Sequence, residues 1–103
     1  MNIPTNRRPT HPGEVLREDF LKPLGLTQEG LAKELDVSFQ RINGIINGKR
    51  ALTAETAILL AGRFKTSAQF WLNFQTRLDL YLARERLSRR SPVARKYAAA
   101  VTR

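Results

Sequence analysis

Amide side chains recur at helical spacing in the middle of this chain. With Ile42 taken as the inward direction and 100° per residue, Gln40, Asn43 and Asn47 project from the opposite side of a helix. Asn and Gln are the side chains that form two hydrogen bonds with adenine in the major groove of DNA. Gly44 lies on the same side and removes bulk where a helix backbone must come close to a partner. This pattern predicts a helix that reads base edges; the alternative is that these polar residues simply face water.

Two short helices joined by a tight turn are predicted to position these amides. Thr27 and Ser38 each precede a run of helical periodicity, as N-cap residues whose hydroxyl accepts a backbone N–H. Asp36 and Val37 interrupt the pattern, and Asp tolerates a positive φ better than most residues. The predicted inward faces are Leu31, Ala32 and Leu35 on the first helix and Ile42, Ile45 and Ile46 on the second. The spacing therefore predicts a helix-turn-helix.

Two cations follow the second of these helices. Gly48 can adopt the left-handed conformation that ends a helix, and Lys49 and Arg50 then suit DNA phosphates. Phe39 and Arg41 flank the amide face. The predicted DNA contacts are Gln28, Ser38, Phe39, Gln40, Arg41, Asn43, Gly44, Asn47, Lys49 and Arg50.

Three further helices complete an all-α prediction of five helices. Pro12 suits the first position of the first helix, and Pro23 is expected to end that helix near Leu21. Thr53 and Ser67 are N-cap residues for the fourth and fifth helices.

The fifth helix carries more apolar surface than a single core requires. Its broad apolar face comprises Phe70, Trp71, Phe74, Leu78, Tyr81 and Leu82. Leu72 and Leu80 lie outside that face, which favours a second packing surface formed with another copy of the chain over scattered exposed leucines. The predicted dimer interface is Phe70, Trp71, Leu72, Phe74, Leu78 and Leu80. Such a homodimer would present two reading helices about 34 Å apart and require palindromic DNA.

The same motifs resemble a known family. The helix-turn-helix resembles that of the Cro/C1-type (Xre) repressors, with core positions at Leu31, Ala32, Leu35, Val37, Ile42 and Ile45. More narrowly, HPGEVLREDFLKPLGLTQ, INGIINGKRALTAETAILLA and SAQFWLNFQTRLDL resemble the HigA (VapI-like) antitoxins of bacterial type II toxin–antitoxin modules, over about residues 11–82. The resemblance implies a lambda-repressor-like fold with a C-terminal dimerising helix. It also implies a repressor of its own operon that neutralises a HigB/RelE-like mRNA endonuclease toxin.

The first helix offers the one acidic surface of the predicted domain. Glu14, Glu18 and Asp19 are either an ordinary solvated face or the surface that receives a basic toxin, and the sequence supports both interpretations equally.

Charge divides the chain into three parts. The net charge is +9, and residues 84–103 contribute +6 of it, with seven basic residues against one acidic. We expect a flexible arm over 1–10, a DNA-binding and dimerisation domain over 11–85, and a basic tail over 86–103. The arm is either a disordered leader or a segment that reaches a minor groove or a protein partner. The tail is either solvated disorder or a source of sequence-independent attraction to DNA.

Composition argues against catalysis, metal binding and cofactor binding. There is no Cys, and the single histidine, His11, is better explained by capping or packing than by a metal or a general base. No glycine-rich phosphate loop and no apolar run of the ~20 residues that span a bilayer is present. We therefore expect a cytoplasmic, non-enzymatic protein. A free-standing phage- or plasmid-like repressor without a toxin, and a protein-interaction module that no longer reads DNA, are the alternatives.

Overall fold

The computed structural model describes residues 8–100, which form six helices and no strands. Helix α1 comprises Pro12–Val15, a π-helical segment Leu16–Leu21 and Lys22–Leu24; the others are α2 (Gln28–Leu35), α3 (Phe39–Ile46), α4 (Ala54–Phe64), α5 (Ala68–Arg90) and α6 (Pro92–Ala100). The all-α helix-turn-helix prediction is confirmed, with α2 and α3 as its two helices. The sixth helix is additional to the five expected.

Short polar side chains begin four of these helices where the sequence predicts them, and Ser91 begins α6 in the same way. Thr27 Oγ1 accepts from the Gly30 N–H at 2.9 Å, and Ser38 Oγ accepts from the Arg41 N–H at 3.1 Å. The same arrangement is found at Thr53 before α4 and at Ser67 before α5. Each cap satisfies a backbone donor that the helix cannot, which contributes about 1 kcal/mol.

The turn between α2 and α3 passes through Asp36, which has φ 56° and ψ 46°. This left-handed conformation is uncommon for residues other than glycine, and Asp is among those that adopt it most readily. The Val37 N–H then bonds to the Ala32 carbonyl at 3.0 Å and closes the turn. The predicted role of Asp36 is confirmed.

Helix α1 continues past Pro23, so the expected end near Leu21 is wrong. In the π-helical segment the Lys22 N–H bonds to the Arg17 carbonyl five residues earlier. This wider turn relieves the conflict between a proline ring and the carbonyl of the residue four positions before it. The helix ends at Gly25, which has φ 63°.

The core lies where α1 to α5 meet. Leu31, Ile42, Ile45, Leu60 and Trp71 are at most 2% exposed. Burial of each such side chain contributes about 1.5–3 kcal/mol. The ring of Phe20 packs edge to face on Trp71 and on Phe64, with centroids 4.9 Å apart in both pairs.

Helix α1 rests directly on the backbone at the end of α3. A Cβ atom built on Gly13 would lie 2.6 Å from the Ile45 carbonyl carbon and 2.8 Å from the Ile46 Cα. Real Cβ atoms do not approach backbone atoms so closely. Position 13 therefore requires glycine for space, and this contact fixes α1 against α3.

Part of the predicted tail is folded. Helix α5 continues to Arg90 across the expected boundary at residue 85, and α6 packs back against it. On α6, Ala94 and Ala98 are half-buried, whereas Val93 and Tyr97 are both 66% exposed. Packing thus supports a helix too short to be stable alone. Residues 1–7 of the predicted arm and residues 101–103 lie outside the described residues.

We predict opposite stability effects for two glycine-to-alanine changes. Gly13→Ala should destabilise the fold by about 3 kcal/mol or more, because the new methyl group meets backbone that cannot move aside. Gly62→Ala should stabilise it by about 0.5–1 kcal/mol, because Gly62 is exposed within α4 and nothing lies within 4 Å of the position that the added methyl group would take. Urea unfolding measures both changes. A Gly13→Ala chain as stable as wild type would contradict the contact.

Candidate DNA-binding surface

Helix α3 turns its polar side outward. Ile42, Ile45 and Ile46 are buried, while Gln40 and Asn47 are exposed. The orientation predicted from helical spacing is therefore confirmed. Phe39 is 42% exposed at the start of the helix, beside the Ser38 cap, and Arg41 is half-buried. The outward side of α3 presents an amide-rich surface of the kind that fits base edges.

Three amides on this surface are bonded in series. Asn47 Nδ2 donates to Asn43 Oδ1 at 3.1 Å, and Asn43 Nδ2 donates to Gln28 Oε1 at 3.0 Å. Gln28 is the first residue of α2, so this amide chain joins the two helices of the motif. The bonds use one of the two N–H donors and one of the two lone pairs of Asn43, which leaves a donor and an acceptor for a base.

The space over Gly44 is occupied by the protein itself. A Cβ atom at Gly44 would lie 2.8 Å from both Cγ and Cδ of Arg50. Close approach of a partner to the helix backbone at Gly44, which the sequence predicts, stays a prediction. The missing side chain of Gly44 accommodates the stem of Arg50, which lies along α3.

The segment after α3 is held in a defined conformation. Gly48 has φ 73°, as its predicted role at a helix end requires. The N–H groups of Lys49 and Arg50 both bond to the Gly44 carbonyl, at 2.8 and 3.0 Å. Both side chains are exposed, and neither forms an ion pair within residues 8–100. The two cations are thus available to an anionic partner such as phosphate.

His11 caps α1. Its Nδ1 accepts from the Gly13 N–H at 2.9 Å. Burial is the main influence on this group and lowers the pKa of His11. The described residues contain no cluster of three His, Cys, Asp or Glu side chains that could hold a metal ion.

The acidic face of α1 is partly neutralised by its own neighbours. Glu18 bonds to Lys22 at 3.0 Å and to Arg17 at 2.8 Å. The hydrogen bond from Lys22 is the main reason that the pKa of Glu18 is lowered. Glu14 and Asp19 remain exposed. Of the three carboxylates considered for a basic partner, these two are the better candidates.

Two residues of the predicted dimer interface are instead in the protein's own core. Trp71 is 0% exposed and Leu78 is 3% exposed within a single chain, so neither can contact a partner directly. Periodicity placed both on an apolar face but did not show that the other helices cover it. Leu80 is 48% exposed, and Phe70, Leu72 and Phe74 are half-buried.

Sequence patterns did not single out Gln75, a polar residue of α5 that bonds to the segment between α3 and α4. Its side chain is buried on α5, and its Oε1 accepts from the Leu52 N–H, 23 residues away in sequence, at 2.8 Å. The sequence signal that could have identified Gln75 is its position on the same helical face as Trp71 and Leu78.

A helix-turn-helix that packs on the core and turns the amides of its second helix outward, followed by two cations without an ion pair within residues 8–100, defines a DNA-binding protein of the helix-turn-helix class. The sequence matches the helix-turn-helix family over residues 18–71. No helix within residues 8–100 is long and apolar enough to cross a membrane.

Comparison with known proteins narrows this class. Virulence-associated protein I of Dichelobacter nodosus is 50% identical over 88 residues, which cover 82% of each chain. Antitoxin HigA-1 of Vibrio cholerae is 42% identical over 82 residues, covering 80% of this chain and 77% of the relative. The Pseudomonas aeruginosa antitoxin HigA, solved with the higBA promoter, superposes with a TM-score of 0.78 at 35% identity, covering 91% of this chain and 96% of that one. The chain belongs to the HigA family of helix-turn-helix proteins.

The cap formed by His11 predicts a stability loss in acid. Because the pKa of His11 is lowered in the folded protein, the stability that the neutral His11 ring contributes is fully present above the ordinary pKa of 6.5. This stability is lost as the pH falls through the folded pKa. The melting temperature should therefore drop more between about pH 7.5 and pH 5 in wild type than in His11→Asn, whose amide caps without titrating. Equal drops in both proteins would show that His11 is not the titrating group.

Proposed function

We propose that this protein is a HigA-type antitoxin that binds palindromic operator DNA as a homodimer and represses its own operon. The observation that carries the proposal is the outward amide surface of α3 with Lys49 and Arg50 directly after it. In this proposal the protein acts in the cytoplasm and by binding, without a catalytic step.

Base reading belongs to the amides of α3. Asn43 keeps one N–H donor and one lone pair beyond the amide chain, which is what two-point recognition of adenine requires. Gln40 and Asn47 extend the same surface along the groove. Ser38 and Gln28, at the starts of α3 and α2, lie where helix N-termini approach phosphate. Phe39 and Arg41 flank the base-reading surface.

Phosphate contact belongs to Lys49 and Arg50. To reach phosphate, the Arg50 side chain leaves its position over Gly44 and uncovers the side of α3. These contacts position the protein on DNA without selecting sequence.

Dimerisation is proposed through α5. The contact includes Leu80 together with the half-buried Phe70, Leu72 and Phe74, and excludes Trp71 and Leu78. Two copies on one palindrome strengthen binding, because the second half-site is engaged at high effective concentration. Sedimentation of wild type as a monomer at the concentrations that fill the operator would contradict this interface.

The toxin contact is proposed at Glu14 and Asp19 on α1. Both carboxylates are exposed, and an mRNA endonuclease has the basic surface that RNA binding requires. The alternative is a free-standing repressor with no toxin. The pairing of Glu18 with Arg17 and Lys22 favours that alternative, since it reduces the acidic surface that a toxin would meet.

We predict distinct losses for a base-reading and a phosphate-contacting variant. Asn43→Ala should weaken operator binding by about 1–3 kcal/mol and relax selectivity at one base pair. Lys49→Ala should weaken operator and random DNA alike, and lower the slope of log K against log salt by about one. Fluorescence anisotropy on both DNAs at several salt concentrations measures the affinity and the salt slope of each variant. Equal losses on the two DNAs for Asn43→Ala would exclude base reading.

If α1 binds the toxin, substitutions on α1 should abolish toxin capture without abolishing operator binding. The chain should co-purify with the small basic product of the adjacent gene, and Glu14→Lys combined with Asp19→Lys should abolish capture by placing cations against a basic partner. Operator binding should persist in this variant. Glu55→Lys on α4 is the control for a charge reversal elsewhere on the surface, because Glu55 is also exposed. Absence of any partner in wild type would favour the free-standing repressor.

A further inference from the structure

Gln75 is a buried amide that joins α5 to the segment between α3 and α4. Its side chain is 7% exposed. Its Oε1 accepts from the Leu52 N–H at 2.8 Å, and its Nε2 donates to Asp79 Oδ1 at 2.8 Å. Both ends of the amide are therefore bonded inside the fold.

Asp79 and the Leu52 N–H together determine which way this amide points. An ionised carboxylate only accepts hydrogen bonds, so it must face the NH₂ end of Gln75. The amide oxygen is then directed to the Leu52 N–H, which only donates. The reversed orientation would place two acceptors together and two donors together.

The bond to Leu52 completes the attachment of residues 48–52, which we call the cation loop because it carries Lys49 and Arg50. One end is held on α3, where the backbone N–H groups of Lys49 and Arg50 both donate to the Gly44 carbonyl. At the other end the Leu52 side chain is 4% exposed and its N–H bonds to Gln75. The cation loop thus spans two fixed points, one on the reading helix and one on α5.

We propose that Gln75 is a positioning residue for DNA binding, and that it acts by fixing the cation loop so that Lys49 and Arg50 meet phosphate while α3 enters the major groove. Asp79 acts with it as the residue that orients the amide. This inference rests on the proposed DNA-binding function. The positioning role does not require Gln75 to contact DNA.

A polarity swap tests this arrangement. Gln75→Glu places two carboxylates together, and their repulsion turns the new side chain away from both Asp79 and the Leu52 N–H, so both bonds of position 75 are weakened. In Gln75→Glu combined with Asp79→Asn, the new carboxylate accepts from both the Leu52 N–H and the amide introduced at position 79, and the total charge equals that of wild type. Gln69→Glu is the charge-matched control on α5, because Gln69 is exposed and, within residues 8–100, its side chain bonds to Asn73 on the same helix.

We expect Gln75→Glu to weaken operator binding about tenfold and to lower the salt slope by about one, as a lost phosphate contact does. The double variant should recover both quantities, and Gln69→Glu should leave the slope unchanged. In a Lys49→Ala, Arg50→Ala background, Gln75→Glu should have little further effect, since the groups it positions are gone. A purely structural role would not produce this dependence on Lys49 and Arg50.

Thermal unfolding of each variant separates positioning from loss of the fold, and Asp79→Asn alone supplies a milder change that keeps an acceptor for Gln75. A folded Gln75→Glu variant with the affinity and salt slope of wild type would overturn the inference and leave the proposed function standing. Failure of the double variant to recover would also overturn it. Failure of wild type to bind promoter DNA would overturn both proposals.

Discussion

The rest of the structure depends on the contact between Gly13 and the end of α3. Helix α1 approaches the Ile45 and Ile46 backbone more closely than any side chain would allow. This approach brings His11, two residues earlier, close to Gly48, just after the end of α3. The reading helix is thereby held at its C-terminal end by packed backbone, and close-packed protein interiors have low compressibility. A rigid end is what a helix needs to present amides in a fixed register to base edges.

Local signals account for most of what the sequence predicted correctly. The caps at Thr27 and Ser38 and the left-handed turn at Asp36 depend on a few adjacent residues, and each is found where the sequence places it. Helical periodicity also assigned the buried side of α3 correctly. The predicted helix end near Leu21 was wrong. The steric conflict of Pro23 within a helix was anticipated, but a π-helical turn accommodates the proline and the helix continues.

Contacts between helices were beyond sequence reasoning. Periodicity placed Trp71 and Leu78 on an apolar face, but only the packing of the other helices shows that the protein's own core covers them. The bond between Gln28 and Asn43 and the bond between Gln75 and Leu52 each need a particular crossing of two helices. The sequence thus named most residues of the candidate surface, whereas their mutual bonds needed coordinates.

The amide chain on the outer side of α3 has a direction, because Asn47 donates to Asn43 and Asn43 donates to Gln28. Turning one amide over would place like groups together unless its neighbours turned as well. In the proposed function, the three side chains therefore meet DNA as a coupled set. In consequence, base preferences at neighbouring operator positions should be correlated, and a weight matrix that treats each position independently would describe the operator incompletely.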